Sequence, residues 1–157
     1  MFHETNPTLF GRPDSVLTGT RALQSTLSEL RAANTCLAHN LPDAFFATRR
    51  LLSDFSTQLS GYFDVSESAR HFNAIARECP SLEHRARVLE RAHRLLKRSF
   101  ATAGEPALRR EKVCTLAFSA RIDGLLEDFE EHEHAERELL QDFFNRIGEA
   151  PCHVAET

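Results

Sequence analysis

Hydrophobic residues recur along this chain at spacings of three and four, which is the period of an amphipathic α-helix. In the first stretch they occupy Leu23, Leu27, Leu30 and Leu37, and the same rhythm returns in three later stretches. Strand signals are missing, because the sequence has few β-branched runs, no strict alternation and no Asn-Gly hairpin. The pattern therefore predicts an all-α protein.

Turn-forming residues divide the pattern into four predicted helices. The stretches "RPDS", "NLPD", "CPS" and "ATAGEP" precede them, and Gly148 with Pro151 ends the last one. The helices are predicted to be roughly 27, 36, 20 and 40 residues long at most. Short connections between long helices favour antiparallel neighbours, so we expect an up-down-up-down four-helix bundle. The bundle should span residues 14–149, with an N-terminal arm at 1–13 and a C-terminal tail at 150–157.

Polar residues interrupt the apolar stripe of every predicted helix. The interruptions fall, in chain order, at Asn34, Tyr62, Ser66, His93, His132 and Glu136. In the segment "FEEHEHAERELL" the pair His132 and Glu136 continues the apolar line, so we predict that both side chains point into the bundle. His134 and Glu138 have the same spacing but lie about 200° further round the helix, which predicts an outward orientation.

This inward pair has the chemistry of a metal site. A histidine and a glutamate four residues apart on one inner helical face direct both ligand atoms toward the bundle axis. Imidazole and carboxylate groups suit iron, zinc or manganese. With His93 on the neighbouring helix, His132 and Glu136 reach the three ligands that an open metal site needs. The alternative is a buried hydrogen-bonded cluster, in which Glu136 accepts from a histidine and from Tyr62.

Composition narrows the classes of function. The chain has 157 residues, 41% hydrophobic and 27% charged, which fits one ordinary globular domain. A net charge of −4 gives no electrostatic reason to expect a nucleic-acid partner. The sequence has neither a signal-peptide pattern nor an apolar run that could span a membrane, so we expect a cytoplasmic protein. Four separated cysteines exclude zinc-ribbon spacing, and no nucleophile–base pair or Gly-rich phosphate loop indicates an enzyme.

Parts of the sequence resemble a known family. The segment "LLEDFEEHEHAERELLQDFFNRIGE" looks like the last helix of hemerythrin-like (HHE cation-binding) domains, where HE-x-x-E and paired leucines recur. "PSLEHRARVLERAHRLL" is similar to their third helix, and "LLSDFSTQLSGYFDVSESARHF" to their second in its apolar frame. The resemblance spans roughly residues 20–149. It implies a four-helix bundle with a non-haem di-iron centre that binds oxygen or takes part in redox or nitric-oxide chemistry.

The resemblance also implies a reduced set of ligands. Carried over position by position, the family's ligands fall on His93, His132 and Glu136. The remaining family positions fall on Asn34, Tyr62, Ser66 and Lys97. These four residues do not complete a di-iron site, so reversible oxygen carriage is not expected. Tyr62 could serve as a fourth ligand by binding ferric iron as phenolate, and Glu67 lies one residue from the missing carboxylate.

Two hypotheses of different classes follow. In the first, His93, His132 and Glu136 bind one iron or zinc ion, and the protein binds or senses dioxygen or another small oxidant. In the second, a metal-free bundle keeps a remnant of the site and serves as a protein-interaction or regulatory module. A protein partner or a homodimer is compatible with both hypotheses, and an unrecognised metalloenzyme is a third alternative.

Overall fold

The protein is described by a computed structural model that covers the backbone of residues 13–68, 71–104 and 115–148 and the side chains of 21–64, 71–104 and 115–148. Within these ranges, 94% of the residues are helical and no strand is present. The prediction of an all-α protein is therefore confirmed. The described helices are too short or too polar to cross a membrane.

Five α-helices and one short 3-10 helix account for this content. The α-helices are α1 Pro13–Ala38, α2 Ala44–Ser68, α3 His71–Glu78, α4 Glu83–Ala103 and α5 Thr115–Gly148. The 3-10 helix, Pro80–Leu82, connects α3 to α4. The predicted arm and tail lie outside the described residues, apart from Pro13, which begins α1.

The sequence predicted one second helix, whereas the structure gives two elements, α2 and α3, on either side of residues 69–70, which lie outside the described residues. The sequence near the division contains Ser66 and Ser68, and serine is a weaker helix former than alanine or leucine. The buried residues of α3 are Phe72, Ile75 and Ala76. Phe72 and Ile75 pack with α4 and α5 in an apolar cluster that contains no α2 residue among side chains 44–64, the part of α2 whose side chains are described. Burial of this short apolar face against α4 and α5 gives α3 its own packing partners.

The longer helices contact one another in pairs. α1 packs against α2 and α5, and α4 packs against α2, α3 and α5. Ion pairs join their edges: Arg31–Glu130 between α1 and α5, Lys97–Asp64 between α2 and α4, and Arg85–Asp142 between α4 and α5. Such half-exposed pairs contribute at most about 1 kcal/mol each, so buried apolar area dominates the packing.

The buried apolar side chains form two clusters. The larger one joins α1, α2, α4 and α5 and contains the fully buried rings of Phe55, Phe63, Phe100 and Phe129. The smaller one joins α3, α4 and α5 through residues such as Leu89 and Leu139. Along α5, His132 lies between Phe129 of the larger cluster and Leu139 of the smaller one. His132 therefore lies where the two clusters meet.

Candidate metal centre

Three polar side chains of α4 and α5 point into the core at one level. His93 takes the place of a core residue in α4, four residues after Leu89 and three before Leu96. His132 and Glu136 lie one turn apart on the facing side of α5. The side chains of His93, His132 and Glu136 are 0%, 3% and 12% exposed, respectively. The predicted inward orientation of His132 is confirmed.

The second histidine–glutamate pair of α5 lies on the outer face. The side chains of His134 and Glu138 are 69% and 59% exposed, and His134 Nε2 lies 3.4 Å from Glu138 Oε1. The helical period thus separates two identical sequence spacings into one buried pair and one solvated pair. The prediction that His134 points outward is confirmed, and this pair provides a matched control for the buried one.

The buried donors converge on a common point. Nε2 of His93 lies 3.4 Å from Oε2 of Glu136, and Nε2 of His132 lies 3.7 Å from the same oxygen. One ligand atom from each of the three residues lies within 4.8 Å of the other two. Two ligands on one zinc ion, at about 2.0–2.2 Å and a tetrahedral angle, lie roughly 3.4 Å apart. The separations of the two histidines from Glu136 are close to this value, and the three residues could together hold a single ion.

Aromatic rings enclose the two imidazoles. Phe63 of α2 stacks on His93, with ring centroids 3.9 Å apart and an interplanar angle of 13°. Phe72 of α3 meets His93 edge-on at 5.0 Å, and Phe63 meets His132 edge-on at 5.6 Å. The imidazoles themselves lie edge to face, with centroids 4.7 Å apart. This apolar enclosure fixes both rings and keeps water away from them.

The burial of His132 sets its protonation state. Removal from water and, to a smaller extent, the nearby His93 lower the pKa of His132 from 6.5 to about 4, while Glu136 partly opposes the shift. At neutral pH the imidazole is therefore uncharged and keeps a lone pair on one nitrogen. A neutral imidazole is the form that binds metal ions.

The ring nitrogens of His132 form no hydrogen bonds within the described residues. Both Nδ1 and Nε2 are buried there without a hydrogen-bond partner. The 3.7 Å separation from Glu136 is too long for a hydrogen bond. A buried polar group without a hydrogen-bond partner destabilises the folded protein by about 1–3 kcal/mol. The ring nitrogens of His132 therefore indicate a further partner. Two imidazoles and a carboxylate are the donor set of several zinc and non-haem iron sites, and the residues fit such an ion.

A second carboxylate and a phenol border the three donors. Burial and the neighbouring Glu136 raise the pKa of Glu133, although Arg137 and His93 oppose the shift. Oε1 of Glu133 is buried and has no hydrogen-bond partner within the described ranges. Burial, and then the charges of Glu133 and Glu136, raise the pKa of Tyr62, so its hydroxyl stays protonated at neutral pH. These groups add oxygen atoms beside the site, and the role of Tyr62 as a fourth ligand stays a prediction.

The inner position of α2 belongs to Phe63 rather than to Tyr62. Phe63 is fully buried against His93, whereas Tyr62 is half-buried. The sequence held the signal for this, because Phe63 follows the buried Leu59 by four residues. The side chains of Ser66 and Glu67 lie outside the described ones, so a ligand role for Glu67 stays a prediction.

Asn34 is buried but belongs to another part of the core. Its Nδ2 donates to the backbone oxygen of Ser119 at 3.1 Å and to Oδ1 of Asp123 at 2.7 Å. Asp123 precedes His132 by about 13 Å along α5, at 1.5 Å per residue. The polar interruptions of the four stripes therefore do not form a single layer. Among the described side chains, those of α4 and α5 meet at the candidate site, with Tyr62 beside them.

No protein-family model, curated protein or solved structure matches the chain. A function must therefore be argued from the chemistry of the site itself.

Proposed function

We propose that the protein binds one metal ion, iron or zinc, through His93, His132 and Glu136. The observation that carries this proposal is the convergence of three buried donors around His132, whose ring nitrogens have no hydrogen-bond partner among the described residues. A cation placed between them would accept a lone pair from each donor and would offset the cost of burying the carboxylate of Glu136. When bound, such an ion supplies Lewis acidity or, in the case of iron, redox chemistry.

We also propose that α1, α2, α4 and α5 form an antiparallel up-down-up-down four-helix bundle, to which α3 is added. The ring of packed pairs α1–α2, α2–α4, α4–α5 and α5–α1 supports this arrangement. Contacts between α4 and α5 run in opposite chain order, since Arg85 pairs with Asp142 and His93 faces Glu136. The chain would then be a diverged hemerythrin-like domain that keeps the donors of its last two long helices.

The enclosure of the site favours a small neutral ligand over a bulky substrate. Phe63 and Phe72 cover His93, and the side chain of Glu136 is the most exposed of the three donors, at 12%. We therefore propose that a bound iron ion would respond to dioxygen or another small oxidant. Protein loaded with ferrous iron without air should change its visible absorption on exposure to air. An unchanged spectrum of loaded protein would refute the oxidant response while leaving metal binding intact.

Metal binding itself is tested by elemental analysis of protein produced without a histidine tag. The wild type should carry close to one equivalent of iron or zinc, and His132→Ala should lose it. His134→Ala is the matched control, because His134 has the same spacing to a glutamate but is 69% exposed. Absence of metal after reconstitution with ferrous iron and with zinc, or equal loss in both variants, would refute the proposal. The metal-free interaction module would then take its place.

A further inference from the structure

The outer face shared by α4 and α5 carries an exposed apolar line. Val88 and Leu95 are 47% and 65% exposed, and their spacing of seven residues places them on one side of α4. Val88 follows Arg85 by three residues, and the guanidinium of Arg85 pairs with Asp142 of α5. The line therefore runs along the side of α4 that borders α5.

A basic line runs beside the apolar line. Arg91 and Arg98 each follow an apolar residue of the line by three positions, so they lie next to it on the side away from α5. Both arginines are exposed. Within the described residues, neither guanidinium has an acidic partner. Their charges are available to another molecule.

An acidic line runs along α5 on the opposite side of the apolar line. Glu138 precedes Asp142 by four residues, so it shares the side of α5 that borders α4. Glu131 lies seven residues before Glu138, and both are exposed. Glu138 lies near the exposed His134, and the carboxylate of Glu131 forms no ion pair within the part of the chain that the structure describes. The face thus presents a basic, an apolar and an acidic line side by side.

We propose that this face binds a second copy of the chain in a two-fold symmetric dimer. A rotation axis along the apolar line places the basic line of each copy on the acidic line of the other. Because contacts between α4 and α5 run in opposite chain order, Arg98 meets the level of Glu131, and Arg91 meets the level of Glu138. A surface that is complementary to itself suits an identical partner better than an unrelated one.

The size of the face sets the expected strength of the dimer. α4 has 21 residues. At 1.5 Å per residue α4 is about 32 Å long, and two adjacent helices of about 10 Å diameter form a face about 20 Å wide, so the face covers roughly 600 Å² on each copy. That area lies at the low end of the range for specific interfaces, so we expect a dissociation constant in the micromolar range. None of these residues is a proposed metal ligand, so the dimer can be tested independently of the metal site.

Sedimentation velocity of the full chain across micromolar to submillimolar concentrations tests the proposal. The mass should rise from the 17.8 kDa of one chain toward twice that value. Leu95→Glu should remain monomeric, whereas Leu116→Glu should dimerise normally, because Leu116 has a similar exposure of 59% at the start of α5. Circular dichroism confirms that each variant is folded.

A charge exchange sharpens the test. Arg91→Glu with Arg98→Glu should weaken the dimer at least tenfold, because like charges then face each other across the interface. Adding Glu131→Arg and Glu138→Arg should restore association, and high salt should weaken the wild type. A wild type that stays monomeric throughout would overturn the proposal. So would equal effects of Leu95→Glu and Leu116→Glu, or failure of the folded four-residue exchange to restore the dimer.

Discussion

Two buried polar groups in this core differ in how their hydrogen-bonding capacity is used. Asn34 is 1% exposed and donates from its amide to a backbone oxygen and to a carboxylate of α5. Ser119 completes that contact by donating from its hydroxyl to the backbone oxygen of Asn34 at 3.4 Å. His132 is 5% exposed, yet within the described residues its ring nitrogens have no such partner. Burial alone does not distinguish the two groups. Both amide hydrogens of Asn34 are used and only its Oδ1 lacks a partner, whereas within the described residues neither ring nitrogen of His132 has one.

The difference has a chemical cause. An amide carries two donor hydrogens, and the region around Asn34 offers two acceptors for them. The site around His132 brings together a carboxylate, which only accepts, and two imidazoles, which when neutral carry one N–H donor and one acceptor nitrogen each. Nε2 of His93 lies within hydrogen-bond distance of Oε2 of Glu136, at 3.4 Å, but the acceptors still outnumber the donors. An excess of lone pairs at one point suits a cation better than it suits further hydrogen bonding. The first group is a structural contact, and the second is the candidate metal centre.

Of the changes predicted here, removal of metal should have the largest effect on the stability of the protein. An ion that binds only the folded state adds roughly 3 kcal/mol at a hundredfold excess over its dissociation constant. For a chain of this size, a chelator should therefore lower the melting temperature by roughly 6–12 °C. Glu136→Gln should abolish the shift, because it removes the anionic ligand while keeping the shape. Calorimetry of both proteins, with and without chelator, measures the effect; an equal shift in Glu136→Gln would contradict the assignment of Glu136.

Acid should destabilise the metal-free protein through His132. The pKa of His132 is about 4 in the folded chain and 6.5 in its ordinary state, so the unfolded chain binds more protons between these values. Stability is therefore lost as the pH falls from 6.5 toward 4, by at most about 3 kcal/mol.

Denaturant unfolding of the wild type and His132→Gln at several pH values isolates this effect. The stability of the wild type relative to the variant should decrease over this pH range, because glutamine does not titrate. His134→Gln is the control and should follow the wild type. A wild-type advantage that is constant from pH 7 to pH 4 would mean that His132 is not buried in its neutral form.

Asn34→Ala should separate the two regions. Loss of the amide leaves the oxygen of Ser119 without that donor and creates a small cavity, so unfolding should become easier by about 2 kcal/mol. Metal content should not change, because Asn34 lies away from the three donors. Chemical denaturation and elemental analysis of the same preparation measure both quantities. Loss of metal in a folded Asn34→Ala variant would show that Asn34 affects metal binding, and would contradict the separation of the two regions in the structure.

The smallest effect is expected at the exposed pair of α5. His134→Ala should change the free energy of unfolding by less than about 0.5 kcal/mol, as at most surface positions. Its metal content and chelator response should equal those of the wild type. A destabilisation comparable to that of His132→Ala, measured by the same denaturation experiment, would break the distinction between the inner and outer pairs.

Sequence periodicity predicted the features that depend on a single helix. The 3.6-residue period placed His132 inside and His134 outside, and the structure gives their side chains exposures of 3% and 69%. Periodicity could not predict that Asn34 pairs with Ser119, because the register between α1 and α5 is a result of tertiary packing.

The hydrophobic pattern also could not predict the path of the chain after α2. One continuous helix and two helices, α2 and α3, bury apolar residues at the same spacing, so packing against α4 and α5 decides between them. The position of Phe63, by contrast, could have been predicted from the pattern, because Phe63 follows Leu59 by four residues; in the structure it faces His93.

X-ray absorption spectroscopy of the reconstituted protein tests the central claim most directly. With iron or zinc bound by His93, His132 and Glu136, the spectrum should show two imidazoles and oxygen donors at about 2.0–2.2 Å. His132→Ala should lose one imidazole or all bound metal, and His134→Ala should leave the spectrum unchanged. A first shell without imidazole, or a loss of imidazole signal in His134→Ala alone, would contradict the account.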